Sequence, residues 1–388
     1  MAGVAELVAR KSATSVDGSS WQNSMPQQPF VSIVTPVHNG ASYLAECIES
    51  VLSQTYENWE YVIVDNRSHD ESAAIAAAYA QRDSRIRLAH TEQLLEIPYS
   101  WNYALSQISP QSQYCKIIHA DDWIFPECIA RMLELAVANP SVILVSSYRL
   151  LGNKLDNSQL ARYPNSVFRG RDAARWFLRE KHNVFGSPSS TLIRCDAIRR
   201  RPAFYQEPKE ILQAIDIQAC LEVLKDGDIG FVHQVLTFSR LHTGSLSTSL
   251  AAFMLEYPER LHFLQQFGSF YLDDDEYQTV WKEAVAEYAR MLALCLFFGK
   301  PSDFWEYHRR QQKLLGITIT PLTIAREACS RVVLSITRPI RRLMQWRKQH
   351  RRLDRARIAA QKNPPSVKSG SEAIPSRHAE TASTHHGW

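Results

Sequence analysis

Carboxylate side chains follow two predicted strands directly. Asp65 comes after the apolar run Tyr61–Val64, and Asp121 and Asp122 come after Tyr114–His119. In an open parallel sheet, ligands bind beyond the carboxyl ends of the strands. Two adjacent carboxylates repel each other unless a cation compensates them, and their oxygens suit Mn²⁺ or Mg²⁺. The pattern therefore predicts a divalent cation at this edge, with substrate phosphates completing its coordination.

The first predicted strand, Val31–Val37, also carries polar residues at its end, among them Thr35, His38 and Asn39. Each of these features has a structural alternative as well. An Asp-Asp pair commonly caps a helix, Asp65 could cap a turn, and Thr35 could belong to the strand end alone. The convergence of three strand ends favours a functional site.

The elements that position these residues alternate from Phe30 to Leu150, which predicts right-handed crossovers and a mostly parallel sheet with helices on both faces. The fold class is therefore α/β. The predicted strands are Val31–Val37, Tyr61–Val64, Ile86–Ala89, Tyr114–His119 and Val142–Tyr148, and the predicted helices are Tyr43–Ser53, Glu71–Gln81, Tyr99–Ile108 and Pro126–Ala138.

The pattern is less regular beyond Leu150. Helices are predicted at Arg171–Lys181 and Ile217–Lys225, and extended segments at Ser189–Ile193 and Ile229–Leu241. Residues Ala251–Leu315 are predicted to be mainly helical, and the acidic run Asp273–Glu276 is predicted to cap a helix N-terminus, where negative charge is favourable.

The distribution of charge argues against a general nucleic-acid binder. The net charge is +4, but residues 320–362 hold 12 Lys or Arg and two acidic residues, a net +10. The rest holds 32 basic and 38 acidic residues, a net −6. Basic character is therefore local.

Cysteine usage and hydropathy predict a cytoplasmic protein. The seven cysteines are widely spaced and form no C-x-x-C pair, as expected for reduced thiols. The N-terminal residues do not resemble a signal peptide, and no apolar run approaches the roughly 20 residues of a membrane span.

Residues 30–150 resemble the family 2 glycosyltransferases, an inverting group with the GT-A (Rossmann-like) fold. The resemblance rests on Val31–Val37 with His38-Asn39-Gly40, on Ile48–Tyr56, on Val62–Asp65 and on Asp121-Asp122. It implies metal-dependent transfer of a sugar from a nucleotide-diphosphate sugar, commonly a UDP-sugar, to an acceptor hydroxyl. It also implies a role in bacterial surface polysaccharide or glycolipid synthesis.

The resemblance assigns roles within the first half of the chain. Thr35 and Asp65 are expected at the base and ribose, with Pro36 and His38 beside the base pocket. Asp121 is expected on the ribose, Asp122 on the metal and Asn102 near the donor, although Asn102 could equally be a polar residue on a helix surface. The sequence departs from the family at Asn66, often an aspartate, and at His38, often a tyrosine, which leaves the base identity open.

Inverting transfer needs a general base, and the resemblance places it at Asp216, at the beginning of a helix. An N-cap is the alternative role for Asp216, and Glu207 and Glu210 are weaker candidates for the base. The preceding Ile215 departs from a frequently acidic family position.

A polar segment downstream resembles the family's loop over the diphosphate. Within it, Arg240 is expected to bind phosphate, and His242 phosphate or the metal. A solvated loop is the alternative.

Apolar residues at helical spacing among arginines predict a basic amphipathic helix within 320–362. This helix could contact an anionic membrane surface, which would suit a lipid-linked acceptor and a peripheral position on the cytoplasmic face of the inner membrane. A helix docked on the main domain or a solvated extension are alternatives.

The predicted organisation has five parts. These are a disordered lead (1–28), a glycosyltransferase domain (29–250, with a nucleotide-sugar half 29–150 and an acceptor half 151–250), a helical region (251–319), the basic segment (320–362) and a disordered tail (363–388). A nucleotidyltransferase is a competing function, but its Gly-rich basic phosphate loop is missing after the first strand. A non-catalytic nucleotide-binding protein is a third reading.

Overall fold

The computed structural model describes residues 28–156, 163–180, 183–206, 214–242, 250–320 and 322–324. The chain divides into two compact units, Met1–Thr320 and Pro321–Trp388, and of the second unit only residues 322–324, which are helical, are described. The predicted N-terminal lead, the disordered tail and nearly all of the basic segment lie outside the described residues.

The described strands form one sheet of ten strands in the order β3-β2-β1-β4-β9-β6-β10-β5, with β7 paired to β6 and β8 to β10. The strands are β1 (Val31–Val37), β2 (Trp59–Asp65), β3 (Ile86–His90), β4 (Tyr114–Ile117), β5 (Trp123–Ile124), β6 (Val142–Leu151), β7 (Lys154–Asp156), β8 (Val167–Phe168), β9 (Leu192–Arg194) and β10 (Asp228–Ser239).

Helices flank this sheet and continue beyond it. They are α1 (Ala41–Leu52), α2 (Ser72–Arg82), α3 (Ile97–Ser106), α4 (Cys128–Ala138), α5 (Gly170–Glu180), α6 (Cys195–Arg199), α7 (Ile215–Val223), α8 (Glu256–Tyr271), α9 (Asp274–Cys295) and α10 (Ser302–Leu315). The first of them shows why they pack: α1 buries Leu44, Cys47, Ile48 and Val51, which share one helical face, against the sheet core.

The predicted α/β fold with a helical C-terminal region is confirmed, and the sheet is mixed. Strand β1 pairs in parallel with β2 and β4. The short strand β9 lies antiparallel between β4 and β6, so these two strands are not neighbours. Parallel register places Val37 beside Asp65 and Asp65 beside His90. Parallel register also places Ile117 of β4 beside Val34 of β1, so the ends of β1, β2 and β4, which precede the predicted polar residues, lie at one edge of the sheet.

Two local predictions have clear outcomes. The segment predicted to be extended at Ser189–Ile193 instead begins within a 3₁₀ turn, Pro188–Ser190, before β9. The predicted acidic cap is confirmed, because the Asp273 side chain accepts a hydrogen bond from the Glu276 backbone N–H and the Glu276 side chain accepts one from the Asp273 backbone N–H.

Among the described residues, six cysteines are free and buried. No described helix has both the length and the apolar character that crossing a membrane requires.

Candidate active site

The turn after β1 is held tightly against the turn after β2. Asn39 has a left-handed backbone (φ 52°), and its N–H donates to Ser68 Oγ at 2.9 Å. A Cβ on Gly40 would lie 2.7 Å from Val37 Cγ2, so only glycine fits. The His38 ring is exposed, and its Nδ1 lies 2.8 Å from the Asn66 carbonyl oxygen. These contacts place the predicted base-pocket residue His38 at the edge, beside the end of β2.

Asp65 lies at the same edge and is 5% exposed. Its Oδ1 accepts the Ser68 N–H at 3.2 Å, as the turn-cap alternative anticipated, and its Oδ2 lies 3.4 Å from His90 Nδ1. Asn66 anchors the loop after β3, since its amide accepts from Leu95 N and donates to Leu95 O. An aspartate at this position could not donate, which gives the departure at Asn66 a local structural reason.

The Thr35 side chain does not reach this edge. It is fully buried, and its hydroxyl lies 2.8 Å from the Tyr61 hydroxyl. The Thr35 hydroxyl is thus engaged within the sheet, and the nucleotide contact expected of Thr35 stays a prediction. Pro36, the next residue, is partly exposed and pairs in register with Val64.

The Asp122 carboxylate at this edge accepts three hydrogen bonds. It is 5% exposed, its Oδ2 accepts from Ser189 Oγ (2.6 Å) and Ser239 Oγ (3.2 Å), and its Oδ1 accepts from Arg240 N (3.1 Å). Burial raises the pKa of Asp122, and the neighbouring Asp121 charge adds to that rise. A negative charge at this position is therefore costly without a compensating cation.

His119, Asp121 and Asp122 offer one ligand atom each, and these atoms lie within 4.8 Å of one another. Among the described residues, the His119 Nε2 atom is buried without a hydrogen-bond partner, which leaves it available as a metal ligand. One imidazole and two carboxylates fit a divalent cation. The sequence interpretation included Asp122 and missed His119, although its place two residues before Asp121 at a strand end was an available signal.

Arg240 and His242 both contact Asp121. Arg240 Nε donates to the Asp121 carbonyl oxygen at 3.2 Å, and its guanidinium pairs with Glu46 and lies 4.7 Å from the Tyr43 ring centre. His242 Nε2 lies 3.0 Å from Asp121 Oδ2. His242 thus contacts Asp121, whereas the group of three possible ligands contains His119. The phosphate or metal role expected of His242 stays a prediction. Sequence reasoning also missed the supporting role of Glu46.

Asp216 lines a cavity beside the segment 186–190. The N-cap of α7 is Ala214, so the N-cap alternative for Asp216 is wrong; Asp216 is the second residue of the helix. The cavity is lined by Asp216 together with Phe185, Gly186, Ser187, Pro188, Thr191, Ile193, Phe204, Tyr205 and Cys220. Burial raises the pKa of Asp216 despite the opposing influence of the Ile217 backbone and of His119 and Arg149. A raised pKa suits a proton acceptor. Glu207 and Glu210 lie outside the described residues.

Asn102 holds Tyr205, which lines the cavity of Asp216. Its Nδ2 donates to the Tyr205 carbonyl oxygen at 2.6 Å, and its Oδ1 accepts the Tyr205 N–H at 2.9 Å. Trp101 packs its ring 4.9 Å from Tyr205 and 4.8 Å from His119. The amide of Asn102 is thus occupied by the Tyr205 backbone and supports the aromatic pair Trp101 and Tyr205. The donor contact expected of Asn102 stays a prediction.

The segment 186–190 joins both parts of the site. Ser189 binds Asp122, whereas Gly186, Ser187 and Pro188 line the cavity of Asp216. Ser187 Oγ also lies 3.2 Å from Ser239 Oγ, and Ser239 bonds Asp122 as well. The segment 186–190 thus contacts Asp122 on one side and lines the cavity of Asp216 on the other.

The family model and the relatives that this chain matches are described as glycosyltransferases. Residues 32–201 match the family model described as Glycosyl transferase family 2. The glycosyltransferase GlyG of Streptococcus pneumoniae is 30% identical over 119 residues, 31% of this chain and 39% of GlyG. TuaG of Bacillus subtilis, named as a proposed teichuronic acid biosynthesis glycosyltransferase, is 25% identical over 248 residues, 61% of this chain and 92% of TuaG.

Among solved structures, S. aureus TarS 1–349 superposes with a TM-score of 0.50 at 15% identity, covering 67% of this chain and 71% of TarS 1–349. At this identity the similarity concerns the fold, and it agrees with the GT-A architecture expected from the sequence.

Proposed function

We propose that this chain transfers a sugar from a nucleotide-diphosphate sugar to an acceptor hydroxyl with inversion at the anomeric carbon, because residues 32–201 match the family model described as Glycosyl transferase family 2. The donor is proposed to be a UDP-sugar, following the family resemblance. The main observation that supports this proposal concerns the segment 186–190. This segment contacts the ligand group His119, Asp121 and Asp122 through Ser189, and it also lines the cavity of Asp216.

The ligand group would hold Mn²⁺ or Mg²⁺, which when bound neutralises charge on the leaving diphosphate. Arg240 lies beside this group, and its guanidinium can exchange its pairing with Glu46 for phosphate oxygens. His242 can donate to the same oxygens while it remains close to Asp121. The two side chains thus orient the diphosphate.

Asp216 is the proposed general base. Its carboxylate takes the proton of the acceptor hydroxyl as the acceptor oxygen forms a bond to the anomeric carbon. The bond from that carbon to the diphosphate oxygen breaks on the opposite face and leaves its electron pair with the diphosphate. The proton remains on Asp216 until solvent removes it.

The nucleoside is proposed to lie along the ends of β1 and β2. Asp65 would contact the base or ribose, Asp121 the ribose, and Pro36 and His38 the base. Asp65 suits this role because Ser68 and His90 already orient its carboxylate at the edge. Thr35 would contribute indirectly, by fixing the end of β1 through Tyr61.

The acceptor is proposed to be a saccharide or a lipid-linked saccharide of a bacterial surface polymer. The name of TuaG supports this class, since the alignment covers 92% of that protein. Such an acceptor would suit an enzyme on the cytoplasmic face of the membrane, with 320–362 as the contact with anionic lipid. No nucleic acid is proposed as a partner.

A screen of nucleotide sugars for Mn²⁺-dependent binding and hydrolysis tests the proposal. Asp122→Asn keeps the shape of the side chain, because its Oδ1 can still accept from Arg240 N and its amide can donate to Ser239 Oγ. We expect turnover to fall by about 10²–10³-fold in this variant, with an unchanged thermal transition. Asp83→Asn is the control, since Asp83 pairs only with Arg85 among the described ion pairs.

Full turnover in Asp122→Asn or in excess chelator would contradict the metal assignment. Absence of turnover with every nucleotide sugar, in a protein that binds none of them, would contradict sugar transfer itself.

A further inference from the structure

Lys116 on β4 contacts the turn that supports Asp122, and burial lowers the pKa of its amino group. It is fully buried, and its Nζ donates to the main-chain oxygens of Ser189 (2.6 Å) and Thr191 (3.2 Å). The Met132 sulfur lies 3.7 Å away. Burying an ammonium group costs several kcal/mol unless its partners compensate, and a methionine would fill the space at lower cost. The presence of a lysine at this buried position is therefore explained better by its hydrogen bonds to Ser189 and Thr191 than by packing.

What Lys116 holds is the turn 188–191. Within this turn, Ser189 Oγ accepts the backbone N–H of His119 at 3.0 Å and donates to Asp122 Oδ2 at 2.6 Å. Lys116 in β4 thus fixes the backbone of Ser189, and the N–H of His119, just after β4, fixes its hydroxyl. The hydroxyl is aimed at the carboxylate that lies in the ligand group.

The same turn also adjoins the cavity of Asp216. Gly186, Ser187 and Pro188 precede it and line the cavity of Asp216, as does Thr191, whose carbonyl oxygen Lys116 binds. Releasing the turn from Lys116 would therefore move the support of Asp122 and the wall of the Asp216 cavity together.

We propose that Lys116 is a positioning residue of this enzyme: its ammonium anchors the turn 188–191, so that the Ser189 hydroxyl orients the Asp122 carboxylate beside the cavity of Asp216. The kinetic consequences of this anchor rest on the proposed function, whereas its geometric consequence does not.

Two other roles for Lys116 make different predictions. A purely electrostatic role would place its positive charge in competition with a divalent cation at Asp122, so its removal would tighten cation binding. A purely structural role in the core would lower the melting temperature without any dependence on Ser189. The positioning role predicts weaker cation binding that depends on Ser189, because partners that orient metal ligands are typically worth about 10–100-fold in affinity or activity.

A double-mutant cycle on the full chain separates these roles. The variants are Lys116→Met, Ser189→Ala and the double variant, and the readouts are the Mn²⁺ dissociation constant, the transfer kcat and KM, and thermal melting. Each single variant is expected to weaken Mn²⁺ binding and to lower kcat by about tenfold, with a smaller change in donor KM. The double variant is expected to lose little more than one single variant.

Losses that multiply to about 100-fold in the double variant would overturn the proposal, as would tighter Mn²⁺ binding in Lys116→Met. Lys225→Met is the matched control. Its ammonium pairs with Glu222 and lies 5.1 Å from the Phe267 ring centre. Lys225 does not line the cavity of Asp216 and is not part of the ligand group.

A crystal structure of Lys116→Met tests the geometry independently of function. The expected result is that Ser189 Oγ no longer lies within hydrogen-bond distance of Asp122. An unchanged Ser189–Asp122 contact would overturn the proposal even if the protein transfers sugar. Conversely, a wild-type chain that binds neither Mn²⁺ nor donor would refute the proposed function and leave the structural result to decide the role of Lys116.

Discussion

Replacing Asp216 by asparagine removes the proposed general base and retains the shape of its side chain. General-base catalysis typically contributes 10²–10⁴-fold, so we expect kcat to fall by a factor in this range, equivalent to about 3–5 kcal/mol of transition-state free energy. The donor should still bind within about threefold, because the ligand group His119, Asp121 and Asp122 is separate from Asp216.

The pH dependence of this variant follows from the raised pKa of Asp216. In the wild type, only the deprotonated carboxylate can take a proton, so log(kcat/KM) should fall by about one per pH unit below that raised pKa. Asparagine does not titrate, so the residual activity of the variant should lack this acidic limb.

Stability should not fall when the carboxylate is lost. Burial raises the folded-state pKa above the ordinary value, so the folded chain binds the proton more tightly than the unfolded chain does. The free energy of unfolding therefore decreases as pH rises from the ordinary pKa of an aspartate through the raised one. Asparagine carries no such penalty and can still accept from the Ile217 backbone, so at neutral pH its melting temperature should equal or exceed that of the wild type.

The assay is initial-rate transfer from pH 4.5 to 8.5, with donor binding by calorimetry and thermal melting on the same samples. The control is Asp226→Asn, whose wild-type carboxylate pairs with Arg201 at 2.8 Å and does not line the cavity. This control should keep the wild-type rate and pH profile, with a stability change of at most about 1 kcal/mol. Transfer by Asp216→Asn within threefold of wild type, or an unchanged acidic limb, would refute the assignment.

Two further predictions concern the aromatic pair and the C-terminal segment. Asn102→Ala removes both hydrogen bonds to the Tyr205 backbone and should lower kcat by about tenfold with little change in donor affinity; a loss confined to donor binding would instead assign Asn102 to the donor. A chain truncated after Thr320, which keeps the buried Ile319, should no longer pellet with phosphatidylserine vesicles, whereas equal pelleting by both chains would exclude 320–362 as the membrane contact.

Local pattern was sufficient to predict most elements and the main carboxylates. Helix α1 follows from apolar residues at helical spacing, and it begins and ends within two residues of its predicted bounds. Asp65, Asp121 and Asp122 could be named because each follows an apolar strand, and parallel register then brings the strand ends to one edge.

The direction of the Thr35 side chain could not be predicted in the same way. Residues Val31–Thr35 of β1 are all buried, so an alternation between an inner and an outer face is missing from the sequence. The antiparallel position of β9 was equally hidden, since its three residues give too short a pattern to reveal a partner.

The sequence by itself determined the alternating α/β pattern, the carboxylates at the strand ends and the helical region that follows, because these depend on neighbours within a few turns of chain. Only the tertiary structure decided which groups hold those carboxylates. Ser189 is 67 residues from Asp122, Asn102 is 103 from Tyr205, and Arg240 is 119 from Asp121. Buried polar groups need hydrogen-bond partners, and those partners can be distant in the sequence. Local periodicity therefore does not predict which residues they are.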